Sequence, residues 1–387
     1  MPRRTSSSKA VGSAHVSEGP PARRVPGGRL PTGRAGAALF CLPLVAALAC
    51  ILCAGGVADA GKPPPPPPEG GVIYYQVGSD ACWSMNADGS QKTLVLSNVP
   101  QEIEPSEHLH AGSRWFLTVL PVEGTYPSGD ARRELFAVNE SAATVQLSND
   151  PTLEPMPVDI IGGLWKVEPR WTLDDSRVSY QARRWGIDPE TGVPEVVDVG
   201  LYAIDLTLDV AEGPPPVAPY RVPVGIQWTA CSDVPCATGN GMDWAPDGSA
   251  VAYIYEGAVR IADAETGEAI QLPLTPLSPH GYRRVRWSPD GTRLILEDSF
   301  KAIATCAPDG SSYKVVAASD RKTNVVTCFW SPSGASIVFE RQAVYKGAMF
   351  FQECNVLRAS AAGGGEADLT SDISGWTLLP LGWRAAQ

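Results

Sequence analysis

One short alternation returns along this chain. Residues 282–287, YRRVRW, alternate polar and apolar side chains, and SPDG follows at 288–291. RLILED then resumes an extended, apolar run. In Ser288-Pro289-Asp290-Gly291 the proline presets φ at the second turn position, and glycine relieves strain at the fourth. The pattern predicts strand, tight turn, strand. It recurs as DWAPDGSAVAYI from Asp243 and FWSPSGASIVF from Phe329. RWTLDDSRVSY from Arg170 is a copy that has lost its proline and glycine. Trp244, Trp287 and Trp330 are spaced 43 residues apart, and Trp171 precedes Trp244 by 73. A weaker copy, EHLHAGSRWFLTV from Glu107, puts His108 at the tryptophan position, and LGWR at Leu381 starts a sixth. Self-similarity near 43 residues predicts a propeller or another repeat array.

A second hairpin follows several of the first ones. WSMNADGSQKTLVLS at Trp83, RIADAETGEAIQL at Arg260 and ATCAPDGSSYKVV at Ala304 again read strand, turn, strand. Two hairpins per repeat make a four-stranded antiparallel blade. The strands near 72–97 lack a first strand, and the C-terminal GWTLLPLGWRAA has one with nothing after it. Pairing the two ends completes a blade and removes two open sheet edges. The expectation is an all-β, six-bladed β-propeller over residues 72–387, its ring closed by the N-terminal strands on the C-terminal strand. The 38 Gly and 36 Pro fit many short strands, and no long stretch after residue 60 carries a 3.6-residue period.

These residues resemble a known family. Trp244-Ala-Pro-Asp-Gly248, Trp287-Ser-Pro-Asp-Gly291 and Trp330-Ser-Pro-Ser-Gly334, with Met85-Asn-Ala-Asp-Gly-Ser90, look like the repeats of TolB-like, WD-repeat-like propellers. The resemblance implies the propeller fold. No α/β domain of the TolB kind fits before the first blade, so partner assignments do not carry over with the fold.

The first 60 residues read differently. Residues 1–34 hold seven Lys or Arg and one acid, residues 35–58 are apolar, and Ala58-Asp59-Ala60 is a small-x-small site. Residues 1–60 are expected to be a signal peptide or signal anchor, with export by the Sec route to the periplasm or beyond. Residues 61–71 read as a proline-rich linker, in which Pro63–Pro68 would span roughly 19 Å as a polyproline helix. Setting aside residues 1–60, with seven basic and two acidic side chains, leaves 24 basic and 40 acidic ones, a net charge of −16. That balance opposes nucleic-acid binding. Membrane attachment is expected only through the N-terminal segment, and a monomer is expected.

Six of the nine cysteines follow the signal. In an exported chain they are expected to pair, as Cys231 with Cys236, Cys306 with Cys328, and Cys82 with Cys354. The spacing is not that of a zinc site.

The tight turns are expected on one face of the ring. The longest insertions, 121–131, 183–199, 214–241 and 341–352, fall on the other. They hold or border Tyr126, Arg183, Arg184, Trp185, Tyr220, Trp228, Tyr345, Phe350 and Phe351, residue types that anchor interfaces. Single members would also serve by folding over the blade ends. The motif tryptophans are expected to pack between blades. His108 and His110 belong to the tight-turn side and His280 to the other, so no metal site is expected, nor any cofactor. No G-x-S-x-G elbow and no glycine-rich phosphate loop is present. The expected function is an exported module binding a protein or glycan of the cell envelope. The alternatives are a carbohydrate-active or metal-dependent propeller enzyme and a structural envelope scaffold.

Overall fold

The computed structural model describes residues 69–78, 81–98, 103–125, 131–149, 165–187, 194–226, 241–344, 354–373 and 378–386. The expected signal, residues 1–60, and most of the linker lie outside them. β1 (Val72–Val77), β2 (Ala81–Asn86) and β3 (Thr93–Ser97) are the outer strands of the first blade. The second blade is β4 (Ile103–His110), β5 (Ser113–Thr125), β6 (Ala131–Asn139) and β7 (Thr144–Gln146). The third is β8 (Trp165–Trp171), β9 (Arg177–Ile187), β10 (Pro194–Asp205) and β11 (Tyr220–Val222). The fourth is β12 (Met242–Trp244), β13 (Ala250–Tyr255), β14 (Ala258–Asp263) and β15 (Ala269–Gln271). The fifth is β16 (Tyr282–Trp287), β17 (Leu294–Asp298), β18 (Ala302–Cys306) and β19 (Lys314–Ala318). The sixth is β20 (Thr323–Trp330), β21 (Ser336–Ala343), β22 (Cys354–Ser360) and β23 (Ala367–Asp368). Finally β24 (Leu378–Arg384) pairs antiparallel with β1, Ile73 opposite Trp383, and supplies the first blade's missing inner strand. The chain is a six-bladed propeller closed by its two ends.

Six clusters of buried side chains, one at each blade junction, take the place of a single core. Middle strands are covered on both faces, so β17 and β18 are buried along their whole length and show no alternation. Three motif tryptophans staple neighbouring blades, as expected. The Trp171 indole N–H donates to Glu104 O (3.2 Å), Trp244 to Ser179 Oγ (2.8 Å), and Trp330 to Arg286 O (3.3 Å). Each acceptor belongs to the preceding blade. The Trp287 indole N–H has no acceptor among the described residues.

The turns work as their residues require. Gly248, Gly291 and Gly334 each take φ of 70°, the left-handed region open to glycine. In the fifth blade Ser288 Oγ donates to Asp290 (2.6 Å). The sixth blade has Ser333 in place of that aspartate. Here the carboxylate of Glu69, just ahead of β1, accepts from Ser331 Oγ (3.0 Å) and from Ser333 Oγ.

Two expectations are corrected. His108 does not hold the tryptophan position of the second blade. Pro105 pairs with Phe116 as Trp287 pairs with Leu294, and Ser106 Oγ accepts from Trp115 N–H as Ser288 Oγ does from Arg293 N–H. His108 and His110 lie in an extension of that hairpin. The second correction is that Cys82, Cys306, Cys328 and Cys354 are buried free thiols. Cys306 belongs to the core between the fourth and fifth blades, and Cys328 to the core between the fifth and sixth. Cys82 and Cys354 likewise sit on opposite sides of the first blade. A whole sheet separates each expected pair, and sheets pack roughly 10 Å apart, beyond a disulfide's reach. Cys231 and Cys236 lie outside the described residues.

Candidate functional site

The inner strands converge on the axis, and the residue before the motif tryptophan turns charged there. Glu104 ahead of Pro105 on β4, Arg170 on β8, Asp243 on β12 and Arg286 on β16 alternate in sign; Phe329 on β20 and Gly382 on β24 break the series, and Arg384, just past Trp383, supplies a further cation. Arg170 pairs with Glu104 at 2.9 Å. Arg384 reaches Glu104 at 3.5 Å and Glu107 at 2.6 Å, and its Nε donates to Pro105 O at 2.9 Å. Asp243 accepts the backbone N–H of Trp287 at 2.8 Å. Burial pushes the Asp243 carboxyl up to about 6, against the pull of Arg286 and Arg170. Burial likewise raises Glu107 to about 7, opposed by Arg384. Burial and the like charge of Arg170 bring Arg286 down to about 10. The Arg286 guanidinium stacks on the Phe329 ring at 4.1 Å.

Beside this girdle lies a cavity of about 260 Å³. Glu104, Glu107, Asp243, Arg286 and Arg384 supply its charge with His108 beside them, while Trp171, Trp244, Trp287, Trp330 and Trp383 supply its aromatic wall. Pro246, Pro289 and Pro332 of the tight turns also line it, so it lies at the tight-turn end of the axis. Glu69 joins the propeller at the same end, on the turn that holds Ser331. Asp243 and Arg286 were in view in the sequence as neighbours of the motif tryptophans. Their recurrence at one repeat position was the signal that could have marked them.

The second blade's long hairpin builds a cluster beside the cavity. Asp175 accepts from the backbone N–H groups of Glu107 and His108, each at 3.0 Å. His110 Nε2 lies 2.9 Å from Asp175 and its Nδ1 lies 3.0 Å from Asp209; His108 Nδ1 lies 3.3 Å from Asp175. Burial alone would raise Asp175, but these histidine and amide hydrogen bonds hold it at about 2. The same bonds to Asp175 raise His108 and His110 above the usual imidazole value. Asp175 occupies the turn position that is glycine elsewhere, at φ 55°. Its carboxylate compensates for that backbone strain by tying two blades together.

The sequence-predicted face residues are dispersed. Tyr126, Trp228, Tyr345, Phe350 and Phe351 lie outside the described residues. Arg183, Arg184 and Trp185 stand on β9 opposite Val199, Asp198 and Val196 of β10, so this insertion lengthens a hairpin. Tyr220 is on the outermost strand, and its hydroxyl donates to Asp205 at 3.0 Å. Asp205 pairs with Arg177 at the tight-turn end of β9, away from Trp185. Tyr220 and Arg183–Trp185 therefore do not share one end of the blade.

No protein-family model matches the sequence, and no curated protein does. Solved structures with a similar arrangement include a TolB-like protein of Agrobacterium tumefaciens, at 14% identity and a TM-score of 0.45 over 78% of this chain and 88% of that one. They also include an oligogalacturonate lyase of Vibrio parahaemolyticus, at 12% identity and 0.39 over 78% and 73%.

Proposed function

We infer that this chain is an exported binding module that takes its ligand at the tight-turn mouth of the propeller axis. The observation that carries the reading is the cavity of about 260 Å³, where charges of both signs and several tryptophans line one concave space. Concave sites with convergent polar groups and aromatic walls are the usual form of a ligand site. The basic, apolar and small-residue segments of the first 60 residues support export. The partner class remains a protein or glycan of the envelope. Among the described residues no helix is long and apolar enough to cross a membrane.

The test is photo-crosslinking in intact cells from a reactive residue at position 289, on the cavity rim, and another at position 185, on β9. Adducts from 289 are expected. Adducts from 185 alone would move the site to the long-insertion face, and none from either would end the binding-module reading.

A second reading is enzymatic. Glu107 and Asp243 both line the cavity, and burial raises both toward neutral. Carboxyls so placed suit acid–base chemistry. Turnover of an envelope glycan by wild type, abolished in Asp243→Asn, would favour it.

A further inference from the structure

Four other arginines of the inner and hairpin strands are committed to protein acceptors. Arg170 holds Glu104, and Arg384 holds Glu107 and Glu104. Arg283 lies 3.4 Å from Glu297, and Arg284 donates to Thr327 Oγ1 at 2.7 Å. Arg286 is different. It is only 9% exposed, and Asp243 and Glu104 attract it, yet among the described residues no carboxylate closes on it as an ion pair; its Nε, like that of Arg170, has no acceptor. The Phe329 ring covers one face of its guanidinium, which leaves the donor edge. Arg286 lines the cavity, and so does Trp287, whose indole N–H also lacks an acceptor. A buried donor without an acceptor is costly, and more so on a charged group. Such groups at the wall of a cavity point to an anion that completes them.

We propose that the axial cavity is a receptor for a carboxylate group, with Arg286 as its anchor. The inference rests on the reading of the mouth as a binding site. A guanidinium edge matches a carboxylate with two parallel hydrogen bonds. Glu104, Glu107 and Asp243 stand in the same wall, so a singly charged anion fits where a dianion such as phosphate is repelled. The volume is below the usual range for drug-sized ligands, which suits a small acid or the end of a chain. The carboxylate therefore belongs either to a free small acid or to a peptide C-terminus.

The test uses the purified protein, with calorimetry and tryptophan fluorescence as readouts. The probes are benzoate against benzamide, the peptide Gly-Gly-Phe against its C-terminal amide, and inorganic phosphate. At least one acid is expected to bind about tenfold or more tighter than its neutral partner, and phosphate is expected to bind more weakly than that acid. Benzoate binding without the peptide identifies a free acid, and the reverse identifies a chain end. Arg286→Gln is expected to lose about tenfold or more of that affinity and Arg286→Lys to retain part of it. Arg286→Gln is also expected to melt close to wild type, because Arg286 closes no ion pair and Arg170 stays beside Asp243. Equal affinity for acid and amide, or unchanged binding in Arg286→Gln, overturns the proposal. So does a marked fall in melting temperature in that variant, which would make Arg286 a structural cation. If no acid binds at about 10 mM while crosslinks from position 289 persist, the carboxylate inference fails and the binding reading stands. If the crosslinks are missing too, both fail.

Discussion

Asp175 shows how one residue departs from its repeat for a reason found in another blade. Glycine at its position would relax the turn, but only a carboxylate there can hold the amides of Glu107 and His108 and both imidazoles. Asp175→Asn is expected to destabilise the protein by about 1.5–3 kcal/mol, the usual scale for a hydrogen bond to a charged group. The pH dependence has two limbs. Asp175 is held at about 2, below its ordinary value, so its contribution is present above that ordinary value and is lost as pH falls toward 2. His108 and His110 are raised, so their contribution is present below the ordinary imidazole value and is lost as pH rises through their folded values. Urea midpoints measured across the acid and neutral range are expected to show both limbs in wild type and to flatten in Asp175→Asn. An unchanged profile would refute the clamp.

At the level of elements, the blade explains which cysteines meet. Each middle strand is sandwiched between two inter-blade cores, so the side of the sheet a thiol faces decides its neighbours. Burial pushes the thiols of Cys306 and Cys328 up to about 12 and raises those of Cys82 and Cys354 as well. Such thiols are poor nucleophiles. A thiol reagent is expected to leave these four cysteines untouched in the folded protein and to modify all four in denaturant. Peptide mapping of the alkylated protein checks this, and a disulfide-linked peptide from any of the four would contradict the fold. The second blade makes a similar point about hairpins. Its turn is longer than SPDG, and reading it by the motif alone slid the register from Pro105 to His108.

For the whole molecule, closure concentrates stability at the seam. Trp383 is 1% exposed and belongs to the core between the sixth and first blades, beside Ile73 and Phe329. Trp383→Ala is expected to cost about 3–5 kcal/mol, because a large side chain leaves a cavity where the two chain ends meet. Trp287→Ala is expected to cost clearly less, since Trp287 is only partly buried. Denaturation midpoints of the two variants provide the comparison, and equal losses would argue that the seam carries no special load.

Period, turn chemistry and ring closure were legible in the residues. They are local quantities: a tryptophan at a 43-residue spacing in three successive blades, a proline and a glycine in the tight turns of those blades, and half a blade at either end. The charged neighbours of the tryptophans were visible too, but not what they do. Glu104 meets Arg170 across 66 positions and Pro105 meets Arg384 across 279. Only the ring brings these groups to one axis, where loss of water makes each pairing matter. The same holds for the thiols, which spacing alone had paired and the thickness of a sheet keeps apart. Sequence by itself determined the repeating unit and its number, because each hairpin folds on its own turn. Tertiary structure decided which charges are neutralised and which stay open, because burial and distance exist only once the blades are packed.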